Sequence, residues 1–259
     1  MDTHNSKITL TILGSGTSQG VPVIACECEI CRSEDPLDKR LRSSVLFSKG
    51  EHNVSIDAGP DFRQQMLRAD VKRLDAVVFT HEHKDHTAGL DDVRAFNFKQ
   101  GIDMPIYGDK NVSETLRRDF HYAFGDTKYP GVPQLEFRFI DGRFHVAEME
   151  FIPIKVWHHK LPVNGFRVGD ICYITDANRI DDDELAKMRG CKVLVLNALR
   201  KEKHISHFTV DEAIEIARQV GAQKTYLTHI SHLMGRHAEV SQELPNGVEL
   251  AFDGLQITV

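Results

Sequence analysis

A chain of 259 residues, 41% hydrophobic and 27% charged, has the length and composition of a folded domain with a sizeable core, which excludes a disordered or fibrous polymer. Its formal charge of -6 gives no basic surplus for gripping a nucleic-acid backbone, so no stable nucleic-acid complex is expected; a small anionic substrate stays open, because bound metals supply local positive charge. Met1-Asp2-Thr3-His4-Asn5-Ser6 has no basic stretch leading into an apolar one, and no apolar run is long enough to span a bilayer, so a cytoplasmic protein with no membrane partner is expected.

In chain order, apolar and β-branched runs predict strands at Ile8 to Leu13, Ser44 to Phe47, Val54 to Ile56, Ala76 to Phe79, Phe151 to Val156, Phe166 to Val168, Cys172 to Ile174, Val193 to Leu196 and Thr225 to Leu227. Between them, helices are predicted at Phe62 to Arg68, Leu90 to Phe98, Ser113 to Phe124, Asp182 to Met188 and Val210 to Val220. The last places Ala213, Ile214, Ala217 and Val220 on one face, as a helix covering a sheet requires. Gly14-Ser15-Gly16-Thr17 lacks the Gly-Lys-Ser/Thr continuation of a phosphate loop and reads as a tight turn. Gly125 to Pro133 reads as a Gly/Pro-rich loop, and no linker or repeat divides the chain, so residues 1–259 are expected to form a single domain. Strands interspersed with amphipathic helices give an α/β fold and, by pattern alone, no finer answer.

Chemistry concentrates in two places. Directly after the run ending at Phe79 comes Thr80-His81-Glu82-His83-Lys84-Asp85-His86, with three imidazoles and a carboxylate inside six residues. Such donors suit Zn, Fe, Mn or Ni, and a solvated turn has no need of three histidines. The spacing is too tight for all four side chains to reach one tetrahedral ion and leave room for substrate, so two adjacent ions are expected. Cys26, Cys28 and Cys31 form C-x-C-x-x-C, which in a reducing compartment favours metal coordination over disulfides. A closed tetrahedral zinc needs a fourth donor, and His232, in Thr228-His229-Ile230-Ser231-His232, is the expected one. Cys172 and Cys191 lie in apolar runs and are expected to be inert core residues.

The pattern His-x-His-x-Asp-His resembles the signature of the metallo-β-lactamase-fold hydrolases, and the resemblance runs through nearly the whole chain. It implies a four-layer αββα sandwich with the metal site along one edge between the sheets. It also implies that His81, His83 and His158 hold one ion and Asp85, His86 and His229 the other, with Asp176 bridging them and a hydroxide shared between them. Asp57, in Ile56-Asp57-Ala58-Gly59, matches a family position that orients a ligand histidine. Within the superfamily, Gly14, Gln19-Gly20-Val21-Pro22, the three cysteines, Leu227-Thr228-His229-Ile230-Ser231-His232 and Phe252-Asp253-Gly254 resemble the PhnP-type phosphoribosyl 1,2-cyclic phosphate phosphodiesterases. In that group the three cysteines and the second histidine of His-x-x-His bind a structural zinc, which supports Cys26, Cys28, Cys31 and His232. His159 departs from the smaller polar residue of that group and bears on the identity of the substrate.

The reaction implied is hydrolysis of a small, cyclic phosphodiester by a metal-bridged hydroxide, with two divalent metals, Zn or Mn, in the centre and one structural Zn apart from it. Asp85 counts as catalytic as well as a ligand. His207 stands ahead of the helix Val210 to Val220, where the phosphodiesterase branch places its catalytic histidine, and is the expected proton donor to the leaving oxygen, a task that the ordinary pKa range of histidine suits near neutral pH. His204 is its nearby competitor. A tRNA 3′-end endonuclease on the same fold would carry a basic docking arm, whereas Gly125 to Pro133 is short and barely charged; a thioester or lactam hydrolase would not need the cysteine knuckle. The other class is a non-catalytic carrier resembling PqqB, which shares such a knuckle, and the intact His81, Asp85, His86, His158, Asp176 and His229 favour an enzyme over it. A homodimer is left open.

Overall fold

The computed structural model describes residues 7–125 and 129–259; the first six residues, and with them His4, and the middle of the loop expected at Gly125 to Pro133 lie outside the described residues. The strands fall into two sheets in almost strict chain order. The first takes β1 (Thr9–Gly14), β2 (Ser44–Lys49), β3 (His52–Ile56), β4 (Ala76–Val78), β5 (Met104–Gly108) and β6 (Leu135–Phe139). The second takes β7 (Phe144–Val146), β8 (Met149–His158), β9 (Leu161–Val168), β10 (Ile171–Ile174), β11 (Arg179–Ile180), β12 (Val193–Asn197), β13 (Lys224–Thr228) and β14 (Val248–Leu250), and β15 (Gln256–Thr258) returns to pair with β1.

Strands covered on both faces must be apolar throughout, and β4, β10 and β12 are buried at every position. One core lies between the sheets, where Leu10, Phe47 and Val78 meet Phe151, Phe166 and Tyr173. A second joins the outer face of the first sheet to helices through Phe62, Met66, Phe96 and Leu116. A third does the same for the second sheet through Leu185, Met188, Ala213 and Ala217. Those three cores make the four αββα layers expected. Among the described residues no helix is long and apolar enough to cross a membrane.

Two predicted helices are corrected. The one expected at Ser113 to Phe124 starts at Lys110, because Asp109 accepts the Val112 amide at 2.9 Å as an N-cap. It then breaks at Phe120, whose φ of -113° and ψ of 37° are not helical, and resumes over His121–Phe124. The one expected at Leu90 to Phe98 begins as a 3-10 turn, Leu90–Val93, before the α-helix Arg94–Gln100. The strand expected to end at Val156 continues to His158, so that histidine is the last residue of β8 and does not follow it.

Candidate metal centre

Four of the expected site residues sit just past the carboxyl ends of strands, where open α/β sheets present their ligands. Asp57 follows β3, His81 lies beyond β4, Asp176 follows β10 by two residues and His229 follows β13 directly. Asp57, Asp176 and His229 have φ of 67°, 54° and 57°, a left-handed conformation that costs a non-glycine residue roughly 1–2 kcal/mol. The turns are held by backbone pairing: the His229 loop is pinned by Ile230 N donating to Ser15 O at 2.9 Å and Thr17 N donating to Ile230 O at 3.1 Å. The expected glycine turn Gly14-Ser15-Gly16-Thr17 thus serves as the clamp on that loop. Elsewhere Gly59 is required by close approach, since a Cβ there would stand 2.0 Å from the Asp85 carbonyl oxygen.

Asp176 is the hub. Its carboxylate lies 3.1 Å from His229 Nδ1, 3.4 Å from His86 Nε2 and 3.7 Å from His81 Nε2. Asp85 Oδ2 is 3.1 Å from His86 Nε2. The rings of His81 and His83 have centroids 4.5 Å apart, and those of His83 and His158 are 5.3 Å apart. Donor atoms group as His81, His86 and Asp176, as His83, His158 and Asp176, and as Asp176, His207 and His229, each set within 4.8 Å. The other six residues expected at the dinuclear site therefore gather around the Asp176 carboxylate, Asp85 by way of His86, although His81 falls with His86 here and not with His83 and His158.

The surrounding shell fixes which nitrogen His86 and His158 offer. Asp57 takes His86 Nδ1 at 2.7 Å and is itself held by the Thr80 amide at 2.8 Å and the Thr80 hydroxyl at 2.9 Å. His158 Nδ1 donates to the Ser206 carbonyl at 2.9 Å. Both contacts turn Nε2 toward the centre, as metal-site histidines require. His81 Nε2 and His86 Nε2 are buried and lack a hydrogen-bond partner among the described residues. Such orphans cost roughly 1–3 kcal/mol each, and divalent cations beside Asp176 would satisfy both, so the donor set fits the implied metals. The Ser43 and Thr17 hydroxyls flank His229, at 3.0 Å from Nδ1 and 3.2 Å from Nε2.

Charge follows from burial and neighbours. Burial raises the Asp57 carboxyl above its ordinary value against the pull of His86 and Thr80. Burial would also raise Asp176, but His229 and His86 hold it well below the usual range. His86 goes the other way: burial opposes its charge, yet Asp176, Asp85 and Asp57 raise it well above 6.5. Burial dominates at His81 and His229 and lowers both.

His207 corrects one expectation. Its ring is buried, 4.6 Å from that of His158 and 4.8 Å from that of His229. Burial, and then the neighbouring His229, push its pKa down to about 3 rather than leaving it near neutrality. Its Nδ1 is buried without a hydrogen-bond partner among the described residues. The loop bearing it is fixed by Phe208 N donating to Ala177 O at 2.8 Å and by the capping box in which Thr209 and Glu212 exchange bonds of 2.9 and 3.2 Å. The roles of Ser206, Ser43, Thr17 and Thr80 were missed in the sequence, because a backbone carbonyl or a lone hydroxyl carries no pattern.

The cysteine knuckle is a separate cluster. Cys26, Cys28 and Cys31 Sγ lie 3.3, 3.4 and 3.5 Å from His232 Nδ1, close to the edge of about 3.5 Å in a tetrahedron with Zn–S near 2.3 Å and Zn–N near 2.0 Å. The Cys31 amide holds the Cys28 thiol down to about 6, whereas burial pushes Cys31 up to about 11. Cys172 and Cys191 are buried in the core.

Residues 52–230 match the family model described as the beta-lactamase superfamily domain. A Porphyromonas gingivalis protein named octanoyltransferase is 38% identical over 252 residues, covering 96% of this chain and 51% of its own length. The chain thus spans about half of that relative. A solved structure described as a new diphosphatase from the PhnP family is 40% identical, covers 98% of this chain and 97% of its own, and superposes with a TM-score of 0.92. Zn(2+)-bound PqqB from Methylobacterium extorquens is 20% identical, covers 97% and 100% of the two chains and has a TM-score of 0.78, a likeness of fold.

Proposed function

The chain belongs to the beta-lactamase superfamily, and we propose that it is a dinuclear metal-dependent phosphodiesterase acting on a small, cyclic phosphodiester. The observation that supports the reading most is the convergence of His81, His83, Asp85, His86, His158 and His229 on Asp176. Divalent ions held there, Zn or Mn, would lower the pKa of water and neutralise phosphoryl charge. The chain's own share is orientation and proton transfer. Asp57 and Ser206 set the rings of His86 and His158. Water oxygen bonds to phosphorus as it gives up a proton to a neighbouring base, the bond to the leaving oxygen breaks, and that oxygen takes a proton, so the proton count is unchanged. We assign that transfer to His207: its burial keeps the resting imidazole neutral at pH 7 and so able to take the proton that water gives up, and an anionic phosphate alongside favours the protonated form that passes it to the leaving oxygen.

A second reading, hydrolysis of a diphosphate, is favoured by the 40% identity to a diphosphatase of the PhnP family. Acyl transfer is not carried over. The name octanoyltransferase belongs to a protein of which this chain spans 51%, and Cys26, Cys28 and Cys31 face His232 while Cys172 and Cys191 are buried in the core. The discriminating experiment presents the metal-loaded protein with a cyclic phosphodiester, bis-p-nitrophenyl phosphate and a diphosphate diester and follows products by phosphorus NMR. Ring opening faster than diphosphate cleavage supports the first reading, and the reverse order supports the second. Full metal loading with no turnover of any of them would return the chain to the carrier class.

A further inference from the structure

Beyond the metal centre, three imidazoles stack outward in a ladder. His207 lies 4.8 Å from His229 at 28°, and His204 lies 5.2 Å from His207 at 29°. Ser206 sets the tautomers of two histidines here, His158 beside the ladder and His204 at its outer end. Its carbonyl accepts from His158 Nδ1, so Nε2 of His158 carries the lone pair. Its amide donates to His204 Nδ1 at 3.4 Å, and an N–H can only donate, so the His204 proton resides on Nε2. The Ser206 hydroxyl lies 3.3 Å from the same Nδ1. Nε2–H of His204 has no hydrogen-bond partner among the described residues, and the ring is only half-buried.

The loop that carries it is held from both sides. Arg200 donates to the carbonyls of Glu202 and Lys203 at 3.3 and 3.1 Å. Asn178 donates to Ile205 O at 3.1 Å and accepts the His159 amide at 2.8 Å, which ties this loop to the turn after β8. A fixed, unpaired N–H beside a metal centre is a preorganised anion donor. From this stacking of His204 on His207, together with its free Nε2–H, we infer that His204 binds an oxyanion on the leaving-group side of the attacked phosphorus, the second phosphate of a diphosphate being the group it fits.

The inference deepens the phosphate reading of the site and rests on it, so its test is binding and not turnover. Calorimetry on the metal-loaded protein compares inorganic diphosphate with inorganic phosphate. Wild type is expected to bind diphosphate about tenfold more tightly, the scale of one hydrogen bond to a charged acceptor. His204→Ala should erase that preference while leaving phosphate affinity and metal content unchanged, and His204→Gln, whose amide still donates, should restore part of it. No preference in wild type, or an undiminished preference in His204→Ala, overturns the assignment. Failure of the wild-type enzyme to turn over any phosphodiester, with the His204-dependent preference intact, would remove the proposed reaction and leave this anion site standing.

Discussion

Replacing Asp57 by Asn changes hardly any volume and inverts one hydrogen bond. The carboxylate accepts from His86 Nδ1 at 2.7 Å and from the Thr80 amide at 2.8 Å. An asparagine can keep the Thr80 amide on its carbonyl oxygen and tolerates the φ of 67° at this position. Its NH₂ then meets His86 Nδ1, so the imidazole has to accept there and carry its proton on Nε2, the nitrogen that faces Asp85 and Asp176 at 3.1 and 3.4 Å. That tautomer cannot ligate. Loss of such an orienting partner typically costs 10–100-fold in metal affinity, or about 1.4–2.8 kcal/mol. Asp57→Ala should cost more, because it also strands the buried Thr80 N–H, at about 1–3 kcal/mol. The assay is competition against a chromophoric chelator, read beside circular dichroism to establish folding. Folded Asp57→Asn that holds its weaker ion within twofold of wild type would refute the tautomer argument.

Other expectations follow from the same contacts. Cys28→Ser should release the knuckle zinc and lower the melting temperature while residual activity persists in protein that stays folded, since a structural zinc contributes folding energy outright; unchanged zinc and melting would remove the structural assignment. His207→Ala should slow an alkyl cyclic phosphodiester by about 10²–10⁴-fold, the usual span of general acid catalysis, and a p-nitrophenyl ester only modestly. Loss of an ion in that variant would make His207 a ligand, in keeping with its grouping with Asp176 and His229. For pH, the folded state refuses protons that the unfolded chain accepts at His207 between 6.5 and about 3, so its contribution to metal-free stability is complete above pH 6.5 and is lost as pH falls through that window. His81 and His229 act in the same sense, and His86 in the opposite one. His207→Leu should flatten the acid limb of the stability curve by up to about 1.4 kcal/mol per pH unit; an identical acid limb would contradict the burial argument.

The sequence is legible where burial forces a pattern. Central strands such as β4, β10 and β12 are apolar runs, broken only by Asn197 at the end of β12, because both faces are covered, and the helix Val210–Val220 shows its face and its Thr209/Glu212 cap. Illegible strands are the peripheral ones: β7, β14 and β15 have three residues each and β11 has two, too short for a period to register. Pro105 obscures β5. At the site, the tight cluster from His81 to His86 announces metal chemistry by composition. Asp57, His158, Asp176 and His229 are single residues whose roles came from resemblance and whose convergence is a property of strand order. What sequence could not supply is environment, as at His207, where the same imidazole reads as a neutral-pH acid until its burial is known.

Metal content measured beside turnover bears most directly on the central claim. Purified wild type is expected to carry an ion pair at the Asp176 cluster in addition to the knuckle zinc. Chelation should abolish hydrolysis of bis-p-nitrophenyl phosphate, and Asp176→Ala should keep the knuckle zinc while losing the pair and most of the activity. A fully metal-stripped protein that hydrolysed the ester at the native rate would contradict the two-metal mechanism.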